Sequence, residues 1–146
     1  MSISYIFGKK ELTILAGAAV GRTNFLPEGF ADDVQQREQT DILEGLKRKG
    51  YVSFSDRRSG RISVEQTAAF FMNMIAEADY SAVSDDGCTY AFYCPKLVII
   101  LGKDRLSAKK CRITPLRDEN DLRIYSEEND IVFGDKKKLH ERKEEK

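Results

Sequence analysis

Leu46-Lys47-Arg48-Lys49-Gly50-Tyr51-Val52-Ser53-Phe54-Ser55 (residues 46–55) is the stretch whose reading decides the fold. Lys47, Arg48 and Lys49 form a basic last turn of the kind a helix dipole favours at its C-terminus, and Gly50 supplies the left-handed stop. Immediately afterwards the pattern changes period, with Val52 and Phe54 alternating with Ser53 and Ser55 as in a half-buried strand. Arg58-Ser59-Gly60 is a turn signal, and Ile62 and Val64 resume the alternation, so the helix feeds directly into a β-hairpin.

Working upstream, Lys9 to Val20 has apolar residues on nearly every side and reads as a short enclosed helix ended at Gly21. Pro27 is placed to open the next segment, and Phe30, Val34, Ile42, Leu43 and Leu46 predict one bent helix or two short ones between Glu28 and Lys49. Downstream, Ala68, Ala69, Met72, Ile75 and Ala76 make the apolar stripe of a helix that follows Glu65-Gln66 and ends near Asp79 or Tyr80. Beyond the loop Ser84-Asp85-Asp86-Gly87 the pattern becomes extended. Cys88 to Tyr93, Lys96 to Leu101, Lys109 to Leu116 and Leu122 to Tyr125 read as strands, and their short connections favour an antiparallel meander. The expected fold is therefore α+β, with residues 1–84 forming helices and a hairpin, 85–126 a meander packed on them, and 127–146 a charged tail or helix.

The order of helices, the Leu46 to Val52 transition and the hairpin resemble a winged-helix domain, from about Glu11 to Asp79. With Glu11-Leu12-Thr13-Ile14-Leu15, Leu26-Pro27, the helix after the hairpin and the meander, the arrangement from Lys10 to Tyr125 is similar to the N-terminal half of EspG-type chaperones of type VII (ESX) secretion. That resemblance implies a cytoplasmic, non-catalytic chaperone or adaptor whose partner is a small helical secreted protein. Members of that family repeat a related half, which here is expected from another chain or from a longer protein of which this chain is a fragment.

Composition sets the other bounds. The 146 residues carry 24 basic and 24 acidic side chains, so no global field draws the chain to nucleic acid or anionic lipid. No apolar run approaches the roughly 20 residues that span a bilayer, and Met1 to Phe7 is no secretory signal. Cys88, Cys94 and Cys111 lie in apolar stretches without a Cys-x-x-Cys pair and read as reduced packing residues. The one histidine, His140, sits in the charged tail away from any metal-ligand spacing. Asp85-Asp86-Gly87 lacks the spaced ligands of a calcium loop, and Gly8-Lys9-Lys10 and Gly102-Lys103-Asp104 lack the lead-in of a phosphate loop. No metal, cofactor or enzymatic chemistry is expected.

Two uses of the surface are expected from these residues. Tyr90, Phe92 and Val98 of the meander are candidates for a protein-binding face or a homodimer interface, with Lys96 to Leu101 as an edge able to add a partner strand. The alternative is a winged-helix transcriptional regulator in which Gln36 to Lys49 reads DNA and Arg57, Arg58 and Arg61 hold phosphates. Glu38, Asp41 and Glu44 on that helix, with Asp32 and Asp33 just upstream, disfavour DNA.

Overall fold

A computed structural model of the chain describes residues 3–56, 61–104, 106–107 and 109–139. Along the chain run β1 (Tyr5–Gly8), α1 (Lys9–Val20), α2 (Gln36–Arg48), β2 (Val52–Asp56), β3 (Arg61–Val64), α3 (Gln66–Ala76), β4 (Tyr80–Val83), β5 (Thr89–Tyr93), β6 (Val98–Lys103), β7 (Lys110–Leu116), α4 (Glu119–Glu128) and β8 (Lys137–Lys138). The class is mixed α+β: among the described residues there are four helices, a six-stranded antiparallel sheet and a two-stranded one. No helix among them is long and apolar enough to cross a membrane. The chain divides into two compact units, Phe7–Ala76 and Met1–Ile6 with Glu77–Lys146.

In the Phe7–Ala76 unit, α1 packs on α3 through Leu12, Leu15 and Ala16 on one side and Ala68, Met72 and Ile75 on the other, all nearly or fully buried. α1 starts where the Glu11 carboxylate accepts the Gly8 N–H at 2.8 Å, satisfying one of the orphan donors of a first helical turn. The same carboxylate accepts Lys49 Nζ at 2.8 Å, and Lys10 pairs with Glu38, so one ion pair joins α1 to α2 and another joins α1 to the residue that caps α2. α2 ends as its sequence requires. Gly50 has φ 83°, the Tyr51 N–H reaches Leu46 O at 2.9 Å, and the Gly50 N–H reaches Lys47 O at 3.0 Å.

The hairpin pairs Val52 with Val64 and Phe54 with Ile62, with a register shift between Phe54 and Asp56. Glu65 caps α3: its carboxylate accepts the N–H groups of Thr67 at 2.9 Å and Ala68 at 3.2 Å. Those donors hold the Glu65 carboxyl below the ordinary carboxylate range, the Thr67 amide contributing most.

The predicted helical content between Glu28 and Lys49 is corrected: residues 28–35 form no helix, and α2 begins at Gln36. Gly29 at φ 91° and the turn from the Phe30 N–H to Pro27 O break the chain there, and Phe30 is anchored in the interior. α3 also stops at Ala76, earlier than predicted, and Tyr80 begins a strand instead.

In the sheet unit the order is β1-β7-β6-β5-β4-β8. β5, β6 and β7 form the predicted meander, with Ala91 opposite Ile100 and Ile100 opposite Thr114. The predicted strand Leu122 to Tyr125 is a helix, because Asp118 accepts the Asp121 N–H at 2.9 Å and nucleates α4. Leu122 and Tyr125, three residues apart, then share one helical face and pack on Ala91, Val98, Ile100 and Leu116. Lys96 to Leu101 is not an exposed edge: β6 lies between β5 and β7, and Val98 to Leu101 are buried.

Candidate functional site

Val98 is 3% exposed and Phe92 2% exposed, so neither presents a surface. The register sets Phe92 against Ile99 and Tyr93 against Val98, which puts Phe92 and Val98 on opposite faces of the sheet. Tyr90 is half-buried, its ring stacked with that of Phe92 at a centroid distance of 6.2 Å. The other predicted set fares differently. Arg61 opens β3 opposite Asp56, while Arg57 and Arg58 lie outside the described residues, as does His140.

What the fold does expose is a groove of about 500 Å³ in the sheet unit, between the segment leading into β1 and α4. Ile3, Tyr5, Leu116, Ile124 and Tyr125 supply its apolar lining, and Arg117, Asp121 and Glu128 its charged rim. Ile3 is 69% and Ile124 40% exposed, and Ile6 in β1 is exposed as well. Apolar residues scattered singly need no explanation, but here two isoleucines distant in sequence meet in one concavity. β1, Tyr-Ile-Phe-Gly, is one end of the sheet and carries no charge, whereas β8 at the other end is Lys137-Lys138. Lysine on a terminal strand is a common guard against unwanted pairing, and β1 has no such guard.

The rim is fixed by its own pairing. Arg117 Nε donates to Asp121 Oδ2 at 2.9 Å, and this bond holds the Asp121 carboxyl below its ordinary range and raises Arg117. The wall behind it is fixed by a hydrogen bond of 2.7 Å between the Ser4 and Thr114 hydroxyls, Thr114 being fully buried.

A second, larger cleft of about 820 Å³ lies beside the β4–β5 turn, lined by Ser84, Asp86, Cys88, Lys103 and Arg112 among others. Several of its polar groups hold the turn together. The Ser84 hydroxyl donates to Asp86 Oδ1 at 2.5 Å and accepts the Thr89 N–H at 3.1 Å; Asp86 Oδ1 also takes the Cys88 N–H at 2.9 Å. Arg112 reaches Asp104 at 3.4 Å. Ser84 and Asp86 therefore close the β4–β5 turn on each other. No group of three or more His, Cys, Asp or Glu able to hold a metal occurs among the described residues.

The three cysteines are thiols. Cys111 is fully buried, and burial together with the nearby Asp79 pushes the Cys94 thiol up to about 11, far from a reactive thiolate. No known protein family matches the sequence, and no curated protein matches it.

Sequence reasoning missed Ile3 and Ile124 as site residues. Ile3, Tyr5, Ile6 and Phe7 are β-branched or aromatic, the composition of a short strand.

Proposed function

We propose that this chain is a non-catalytic protein-binding adaptor that holds an apolar, extended segment of a partner protein in the groove between β1 and α4. The observation that carries this reading is the meeting of Ile3 and Ile124, both exposed, in a concavity beside an uncharged terminal strand. Burying apolar surface contributes roughly 25 cal/mol per Å², and a partner side chain seated against Ile3, Leu116 and Ile124 gains it without disturbing the charged rim. Backbone pairing along β1 would add affinity with little sequence demand, leaving specificity to the groove. Such an adaptor is of the kind implied by the likeness to EspG-type chaperones, whose partners are secreted proteins; within that reading the chain works in the cytoplasm on a type VII secretion substrate.

Selection of a displayed random peptide library on the full chain tests the proposal. Peptides with alternating apolar residues should be enriched and should lose about 10-fold or more in affinity for Ile3→Asp and Ile124→Asp. Peptides that bind these variants unchanged would remove the groove from the account. Steeply salt-dependent binding to mixed DNA, lost with Arg57→Ala and Arg58→Ala, would instead establish the regulator.

A further inference from the structure

Residues 131–139 leave α4 and run back along the outer side of β4. Backbone bonds seat them there: the Asp85 N–H reaches Val132 O at 2.9 Å, the Gly134 N–H reaches Val83 O at 2.8 Å, and the Leu139 N–H reaches Asp79 O at 3.0 Å. β8 pairs Lys138 with Tyr80 and Lys137 with Ser81, and Phe133 bridges to Ser84.

Side-chain anchoring is sparse by comparison. Phe133 packs against the cluster of Ala91, Val98, Ile100, Leu116 and Leu122. Lys136 Nζ lies 4.4 Å from the Tyr93 ring centroid and 3.0 Å from Glu119, in an ion pair whose members are 42% and 65% exposed. Pairs that open to water hold little. Val132, Lys137, Lys138 and Leu139 are exposed. The segment departs from α4 through Asp130, which takes the left-handed conformation at φ 53°, and the Ile131 N–H reaches Ser126 O at 2.9 Å, so the helix ends before the strap begins.

We propose that residues 131–139 are a releasable strap seated on a second strand-accepting edge of the sheet, and that the external occupant of that edge is an extended peptide with one aromatic anchor in the place of Phe133. The strap itself shows what the edge takes. Its backbone completes β4, and its one core-facing ring fills the corner of the cluster that any replacement must fill. Because β4 ends the sheet once the strap has left, opening breaks no backbone pairing among β4, β5, β6 and β7. The proposal stands on the strap alone and is independent of the groove beside β1.

Amide hydrogen exchange on the full chain tests it. The Asp85, Gly134 and Leu139 amides should exchange about 100-fold or more faster than the slowest β6 amides, the mark of a local opening. Phe133→Ala should speed the first set a further ~10-fold and leave β6 unchanged. A synthetic peptide with the sequence of residues 131–139 should bind the Phe133→Ala protein about 10-fold more tightly than the unaltered chain, since its tethered competitor is weakened. One common exchange rate for strap and β6, or failure of the peptide to bind either protein, would overturn the proposal. Should Phe133→Ala not fold, the milder Phe133→Leu carries the same comparison, with smaller changes in the same direction.

Discussion

Raising the pH from 7 to 10 should cost the folded chain stability through the buried thiol of Cys94. Cys94 follows β5, its N–H bonded to Leu97 O at 2.9 Å and its Sγ directed at Phe92 O at 3.8 Å. Burial and then the Asp79 charge raise its pKa from the ordinary 9.0 to about 11. At pH 10 the unfolded chain has given up most of this proton while the folded chain keeps it, so the unfolded state binds fewer protons and stability falls as pH rises. With those two values the difference at pH 10 is about 1 kcal/mol; it vanishes well below pH 9 and is complete above pH 11.

Urea denaturation of the unaltered chain and of Cys94→Ala at both pH values isolates it, because the raised Tyr93 phenol is common to both proteins. The stability gap between the two should move by about 1 kcal/mol in favour of Cys94→Ala on going to pH 10. A gap that stays constant would refute the buried-thiol reasoning. The same thiol should be alkylated about 100-fold more slowly at pH 8 than an ordinary cysteine, in proportion to its thiolate fraction.

Other outcomes follow from the local geometry. Glu65→Ala removes the cap of α3 and should cost about 1 kcal/mol near neutral pH; that difference is present above the ordinary carboxylate range and should fade as acid protonates Glu65 through its lowered pKa, measured by thermal melts from pH 7 to pH 3. Gly50→Ala forces a Cβ onto a residue at φ 83° and should cost about 1–2 kcal/mol in chemical denaturation. Leu122→Ala empties the contact between α4 and the sheet and should cost about 2–4 kcal/mol.

The elements legible in the sequence are those whose signals are local. Gly50 after a basic helical turn, and the alternation on either side of residues 57–60, specify the α2–hairpin junction within twenty residues of chain. β5, β6 and β7 are legible because their apolar runs are long and their turns short. Leu122-Arg123-Ile124-Tyr125 alternates like a strand, and what decided otherwise was Asp118 capping three residues before Asp121, a signal that competes directly with the turn reading of the same residues. β4 was hidden because Ala76, Ala78 and Tyr80 prolong an apolar pattern, and only pairing with β5 makes Tyr80–Val83 a strand.

The groove was out of reach for another reason. It joins Ile3 to Ile124, and no periodicity links residues so far apart; the topology that carries β1 to the end of the sheet beside β7 does so. Tyr90, Phe92 and Val98 drew attention as apolar strand residues, yet apolar character alone does not say which residues the fold encloses.

The most direct test of the adaptor reading is an amide chemical-shift map of the full chain titrated with a library-selected peptide. The account predicts that shifts concentrate at Ile3 to Ile6 and along α4 around Ile124, with α2 and the hairpin silent. Shifts confined to α2 and the hairpin, or spread evenly with no saturation, would contradict it.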